Sequence, residues 1–559
     1  SNGKEMRVER YGRWAKEFDP ALGIDRVLFT APDGSVEERP AFRHQPAELR
    51  YDHHGYESVV AMGQPVTAVR FTPVQVGSYR YRAMRGEQCL EEGELLCEPS
   101  AHPGYVEVSK RDPRYFAHSN GTPYCAIGPC LVGPPQYPLP RGMEHFDVGN
   151  AQATLGCFEY RRWFRLLAQN GANYCRLWLS HAAFNVETET AGELNLAAFA
   201  RLDRVVELAR QYGIRLKMCL EHFRTFEPGT FFHKTLRDPR DGHSPASIDE
   251  WLTSPRWREL WLGKVRAYMA RYGGDPTVMA WELWNEMDCV RGQWENVRDW
   301  TRDMLRELKR LAPRQLVVNS LGSFDVESKQ RVQDEFHMEE MDFQQVHRYL
   351  DQGAPWEICT LDPVAFSVDA IQRSRRPDRP IILAETGAVN DRHTGPFRFY
   401  RLDNRGIIFH DTTYPAFFAG AAGTGHIWHW DQYVDQKDLW RQYRPFAELI
   451  AGVQLDAEGL RPVDLSTDRV WFLTLQGKRH LLAWVRNKAD SWHAVLRDEL
   501  EPEAVQDAVF DLSPLGVRAG QVTVYRAWPE DGGGEAELAD GRLRLPTFRY
   551  GLLVKVRLP

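Results

Sequence analysis

Val278-Met279-Ala280-Trp281-Glu282-Leu283-Trp284-Asn285-Glu286 decides the fold: a strand-like apolar run that ends abruptly in an amide and a carboxylate. It follows a helical pattern from Trp257 to Tyr272 and a break at Gly273-Gly274-Asp275-Pro276. The same grammar appears twice upstream. Phe158 to Asn170 places Trp163, Leu166 and Leu167 at helical spacing, stops at Gly171 and runs into Asn173-Tyr174-Cys175-Arg176-Leu177-Trp178-Leu179. Leu194 to Tyr212 stops at Gly213 and runs into Ile214-Arg215-Leu216-Lys217-Met218-Cys219-Leu220. Glycine after a helix supplies a left-handed cap, and helices alternating with apolar strands are βα units.

Counting onward gives eight strand candidates. The first is Tyr124 to Gly128, the next three are those just quoted, and the fifth is Gln315 to Asn319. The sixth is Phe343 to His347, the seventh Pro380 to Ala384 and the eighth Gly425 to Trp430. Eight such units over residues 111–450 predict an α/β fold, a (β/α)8 TIM barrel. A doubly wound sheet would need a glycine-rich phosphate loop after its first strand, and none is there; Gly420-Ala421-Ala422-Gly423-Thr424-Gly425 reads as turn chemistry. Residues 1–110 and 451–559 instead carry short alternating runs such as Val66-Thr67-Ala68-Val69-Arg70-Phe71 and Val470-Trp471-Phe472-Leu473-Thr474-Leu475. Each segment predicts a β-sandwich.

Composition narrows the function. The 559 residues carry 70 Lys plus Arg against 77 Asp plus Glu, so a dedicated nucleic-acid partner is not expected. No run of 18 apolar residues spans a membrane. The nine cysteines form no CxxC pair and sit in apolar runs, which reads as reduced thiols and a cytoplasmic location, with secretion left open if a signal peptide was removed. Aromatic residues make up 12%, more than a plain core calls for, and sugar clefts are one use for such a surplus.

In a barrel the reactive groups stand at the carboxyl ends of the strands. Read there, strand four ends in Trp284-Asn285-Glu286, strand seven in Ala384-Glu385-Thr386-Gly387 and strand six in His347-Arg348-Tyr349. Strand two carries Arg176, strand three runs into Glu221-His222 and strand eight into Trp428-His429-Trp430. Glu286 and Glu385, 385 − 286 = 99 residues apart, face one another across the opening. Glycoside hydrolysis needs such a pair, one carboxyl protonated and one ionised. A metal-dependent hydrolase would want a His-x-His at the end of strand one, where Gly128-Pro129-Cys130 stands, so neither a metal nor a cofactor is expected.

This constellation resembles clan A of the glycoside hydrolases, and within it family five, the cellulases and mannanases. The resemblance implies that Glu286 is the general acid/base, that Glu385 is the nucleophile, and that Asn285 donates to a sugar 2-hydroxyl. Arg176, His222, His347, Tyr349 and Trp428 fill the remaining substrate-binding positions of the motif. Trp284, Trp178, His181 and Trp430 are further candidates for sugar contact, with Trp284 walling Glu286 and Trp430 on the same side of strand eight as Trp428. The flanking segments are similar to the β-sandwiches that precede and follow barrels in many bacterial clan A enzymes, which leaves room for a homo-oligomer. The substrate so implied is an oligosaccharide or polysaccharide. The long loop Leu131 to Thr154, with His145 in it, departs from the cellulase pattern. A catalytically inactive carbohydrate-binding or scaffold protein on the same fold is the alternative.

Overall fold

The computed structural model of the protein describes residues 6–53, 55–134, 156–227, 236–393 and 395–559. His145 and nearly all of the loop singled out above lie outside them.

The N-terminal strands are β1 (Met6–Glu9), β2 (Trp14–Phe18), β3 (Arg26–Thr30), β4 (Val36–Pro40), β5 (Phe42–His44), β6 (Ala47–Tyr51), β7 (Glu57–Ala61), β8 (Val66–Phe71), β9 (Gly77–Arg85) and β10 (Gln88–Glu98). One sheet has the order β1-β10-β9-β3-β4, a second β2-β8-β5, and β6-β7 is a separate hairpin. Alternate residues of the first two sheets turn into one shared core containing Trp14, Val27, Phe29, Val69, Phe71, Tyr79 and Tyr81. Phe29 of β3 stacks on Phe71 of β8 with centroids 3.8 Å apart.

Three short strands follow, β11 (Val106–Val108), β12 (Phe116–His118) and β13 (Pro123–Tyr124), paired in that order. Then come α1 (Phe158–Gln169), β14 (Tyr174–Trp178), α2 (Phe199–Tyr212), β15 (Arg215–His222), α3 (Ile248–Thr253), α4 (Pro255–Tyr272), β16 (Val278–Asn285), α5 (Trp294–Leu311), β17 (Leu316–Val318), α6 (Gln330–Phe336), β18 (Gln344–His347), α7 (Pro363–Ser374), β19 (Ile381–Glu385), α8 (Ile407–Thr413), α9 (Pro415–Phe418) and α10 (Tyr443–Ile450). The helices form as their apolar spacing dictates: α2 buries Phe199, Leu202, Val205, Val206 and Ala209 on one face and ends at Gly213 with φ 70°. Gly273 differs. Its φ is −68°, so it is no left-handed cap; a Cβ there would meet Met269 O at 2.5 Å, and close approach is what requires glycine.

Strands β14-β15-β16-β17 form a parallel sheet, and β18-β19 a parallel pair. Backbone bonds continue beyond the regular ladders. Arg176 N donates to Cys130 O (2.9 Å) and Trp178 N to Val132 O (3.0 Å), Asp342 N donates to Val317 O (3.0 Å), and His426 N donates to Leu383 O (2.9 Å). Cys130 N in turn donates to Ile427 O at 3.0 Å, so the eighth segment bonds to the first. Two of the expected strands are irregular. Tyr124 belongs to the β12-β13 hairpin, so the first inner segment begins at Ala126, which bridges Gly423. The eighth makes isolated bridges at Gly423 and Ile427 and turns at His429, whose φ is 58°. Trp430 therefore starts a short π-helix, Trp430–Val434, and does not continue a strand from Trp428.

The last strands are β20 (Arg461–Asp464), β21 (Val470–Gln476), β22 (His480–Asn487), β23 (Val509–Asp511), β24 (Gln521–Tyr525), β25 (Glu537–Ala539), β26 (Arg542–Arg544) and β27 (Gly551–Arg557). Sheets β20-β21-β22-β27-β24 and β23-β26-β25 share a core in which Phe472 stacks on Phe510 at 4.0 Å. None of the nine cysteines is in a disulfide, and among the described residues no helix is long and apolar enough to cross a membrane.

Candidate active site

The carboxyl ends of β14, β15, β16, β18 and β19 bring the predicted polar residues together. Arg176 of β14 is fully buried and is the hub. Its Nη1 donates to Glu385 Oε2 at 2.5 Å, its Nη2 to Asn285 Oδ1 at 2.7 Å, and its Nε and Nη2 grip Glu282 at 2.8 and 2.9 Å. Tyr349 O–H donates to the other Glu385 oxygen at 2.6 Å. His347 Nδ1 lies 2.9 Å from Glu286 Oε2 and 3.4 Å from Glu385 Oε2, so one ring spans the two carboxylates. Glu286 itself has φ 51°, unusual for a residue with a side chain, and is held by Ser320 Oγ accepting its N–H at 3.0 Å.

The two carboxyls are driven apart in acidity. Burial raises the Glu286 pKa above its ordinary value and the charge of Glu385 raises it further, outweighing the contacts of His347. Burial also presses Glu385 upward, but His347, Arg176 and the Tyr349 hydroxyl together outweigh it and leave Glu385 below its ordinary value. The charges beneath explain the asymmetry. Arg176 faces two carboxylates, Glu282 and Glu385, while Lys217, its pKa brought down to about 8 chiefly by burial, stands 3.9 Å from Glu282. Two cations already balance two anions, and a third carboxylate at Glu286 stands close to the charge of Glu385 in a medium that screens poorly.

Around this polar floor lie rings. Trp178 stacks on His222 (4.3 Å, 20°) and tilts against Trp428 (5.1 Å), which meets Trp430 edge-on at 5.0 Å. His222 Nδ1 is 2.5 Å from Ser180 Oγ. His181 accepts the Ala183 N–H at 3.1 Å and packs its ring against Gly133, where a Cβ would come within 2.5 Å.

Trp284 is not in this group. It is fully buried against Trp251 of α3 (5.4 Å) and Trp300 of α5 (5.9 Å), on the helix side of β16, and it does not wall Glu286. Glu221, paired in register with Trp284, also turns outward, to Lys264 and Trp261 Nε1. Glu282 and Lys217 are members of the Arg176 network that the strand-end pattern does not single out. The signal is partial: Glu282 is the single charge of β16, whereas β15 carries Arg215, Lys217 and Glu221. His393, whose Nδ1 is 2.8 Å from Asp351 Oδ2, is a further charged neighbour of Glu286 supplied by a loop.

Among the described residues, Glu286, His347 and Glu385 are the one group whose donor atoms, all within 4.8 Å, could hold a metal ion. The donor set fits poorly: the Arg176 guanidinium already occupies Glu385, and the raised pKa of Glu286 weakens it as an anionic ligand. A fixed cation and a proton serve where a dication would otherwise be needed.

An α/β fold with a polar hub joining two strand-end carboxyls of opposite acidity is an arrangement that resembles the clan A glycoside hydrolases. Residues 140–403 match the model of the cellulase family, glycosyl hydrolase family 5. Mannan endo-1,4-beta-mannosidase 4 of Oryza sativa subsp. japonica is 29% identical over 172 residues, covering 29% of this chain and 37% of that protein. Mannan endo-1,4-beta-mannosidase 7 of Arabidopsis thaliana is 25% identical over 304 residues, 47% of this chain and 67% of the relative. The chain thus spans little more than a third of the rice relative's length. A crystal structure of a proposed glycoside hydrolase from Bacteroides vulgatus ATCC 8482 covers 99% of this chain and all of its own, with TM-score 0.58 and 14% identity, a likeness of fold.

Proposed function

We propose that this protein is a retaining glycoside hydrolase that cleaves a β-glycosidic bond in an oligo- or polysaccharide. In this reading the ring of strands is a (β/α)8 barrel over residues 111–450, between β-sandwiches at 1–110 and 451–559. The observation that carries it is the oppositely shifted pair: oxygens of Glu286 and Glu385 lie within 4.8 Å, with the pKa of Glu286 raised and that of Glu385 lowered from their ordinary values. Retaining enzymes place their carboxyls about 5–5.5 Å apart, whereas inverting ones leave roughly 6.5–9.5 Å for a water.

Glu385, held by Arg176 and Tyr349, attacks the anomeric carbon while Glu286 gives its proton to the departing oxygen. The glycosyl ester consumes the charge on Glu385, which removes one cause of the raised Glu286 pKa. Glu286 is then fit to take a proton from water, which displaces Glu385 and restores both groups. The Asn285 Nδ2 amide is buried without a hydrogen-bond partner among the described residues and is the donor for a sugar hydroxyl. Binding alone would need amides and rings but no matched acid and nucleophile, which disfavours the scaffold alternative.

The relatives are named as mannan endo-1,4-beta-mannosidases, so β-1,4-mannans and their oligosaccharides head the substrate panel, beside nitrophenyl β-glycosides. Hydrolysis of at least one is expected, and Glu385→Ala should lower it by about 10⁴-fold or more. A variant retaining most of the activity would contradict the assignment.

A further inference from the structure

We propose that a cavity of about 700 Å³ between strand β6, the first turn of α1 and α2 from Phe199 to Leu208 is an auxiliary saccharide-binding site. The inference rests on the reading that the substrate is a saccharide chain. Tyr51 and Phe158 line the cavity and meet edge to face at 5.8 Å. They are 45% and 64% exposed, in a protein whose other rings are mostly buried. Arg161, Arg204 and Glu207 are among the polar side chains that line the cavity, planar groups able to exchange paired hydrogen bonds with vicinal hydroxyls. Flat apolar faces with planar polar groups at their edge suit a pyranose, which offers axial C–H groups on one face and hydroxyls around its rim.

The corner is built. Glu57, 3% exposed, accepts the Tyr51 hydroxyl at 2.7 Å, the Cys157 N–H at 2.9 Å and Arg201 Nε at 2.7 Å. One buried carboxylate therefore fixes the Tyr51 ring, the entry to α1 that sets Phe158, and α2. Gly156 has φ 71°, and a Cβ there would overlap Glu57 at 2.2 Å, so the chain is shaped to admit this carboxylate. Docking a hairpin explains Glu57 and Arg201 but does not explain two rings left facing solvent. Helices of βα units begin at the end where the strands finish, and Phe158 and Phe199, the first residues of α1 and α2, both line the cavity. Arg201 also donates to Ala183 O at 3.4 Å, two residues beyond His181, which ties this corner to the loop after β14. A chain held at both places would gain local concentration at the cleft without tighter binding of the reacting sugar.

The test titrates β-1,4-mannohexaose and β-1,4-cellohexaose into Glu385→Ala by calorimetry. Two binding events per chain are expected with the matching hexaose. Adding Tyr51→Ala and Phe158→Ala should weaken one about tenfold or more and leave the other, whereas Phe158→Tyr keeps both. In the otherwise wild-type protein the double variant should raise KM for the hexaose and leave nitrophenyl monosaccharide hydrolysis unchanged. An identical titration after the double substitution, or no binding of either hexaose, overturns the proposal. Were the catalytic reading wrong and this site real, a single event would remain, lost on removing the two rings, with no hydrolysis by the wild type.

Discussion

Strands β15 and β16 have two faces made of opposite materials. Their inner face carries Lys217, His222, Glu282 and Asn285, and their outer face carries Glu221 and Trp284 against Trp251, Trp261 and Trp300 of the helices. The inner face is polar where a hydrophobic core is ordinarily driest, and it holds together because Arg176 pairs with two carboxylates at once. The outer face buries Trp251, Trp284 and Trp300 together, while Trp261 donates to the buried Glu221, which pairs with Lys264. Much of the aromatic surplus is thus structural, and the charges inside the strands bear on the acidity of the proposed catalytic pair.

Glu282→Gln tests the inner face with the largest effect. Removing one partner of a buried ion network typically costs about 3–5 kcal/mol, and here it also frees Arg176 to lean on Glu385 alone. Denaturant unfolding should show that loss, and kcat should fall at least about tenfold in the molecules that remain folded. Trp284→Ala is the outer-face counterpart. It should cost a similar 3–5 kcal/mol by opening a cavity among three other tryptophans, while KM and kcat per folded molecule stay unchanged. A KM rise confined to Trp284→Ala would return that residue to the sugar site.

The pH profile is a finer probe. The proposed mechanism requires Glu385 ionised and Glu286 protonated, so kcat/KM should rise as pH climbs through the lowered Glu385 pKa and fall as it climbs through the raised Glu286 pKa. Tyr349→Phe removes a hydrogen bond that favours the ionised Glu385, so the acid limb should shift upward by about half to one unit while the alkaline limb holds. A shifted alkaline limb alone would reverse the two roles.

How far the sequence could be read follows from the same two faces. Arg176, Asn285, Glu286, His347, Tyr349 and Glu385 were legible because polar residues at the ends of apolar strands have few reasons to be there. Trp284 misled because plain alternation from Glu282 would turn it inward, whereas both Glu282 and Asn285 reach Arg176 and so the inward positions are three apart. Glu282 and Lys217 were hidden because their immediate neighbours in the strand are all apolar. Trp430 was misplaced because a single left-handed residue, His429, ends the eighth segment, and a histidine carries no glycine-like warning of that. The Asp351 and His393 pair comes from two loops, where no periodicity exists to be read.

The central claim is that Glu385 attacks and Glu286 donates, in two displacements. The most direct measurement is proton NMR of the first product formed from a hydrolysed β-glycoside, recorded before mutarotation. The account predicts that the β-anomer appears first and equilibrates later. Initial appearance of the α-anomer would mean a single displacement by water, and would contradict it.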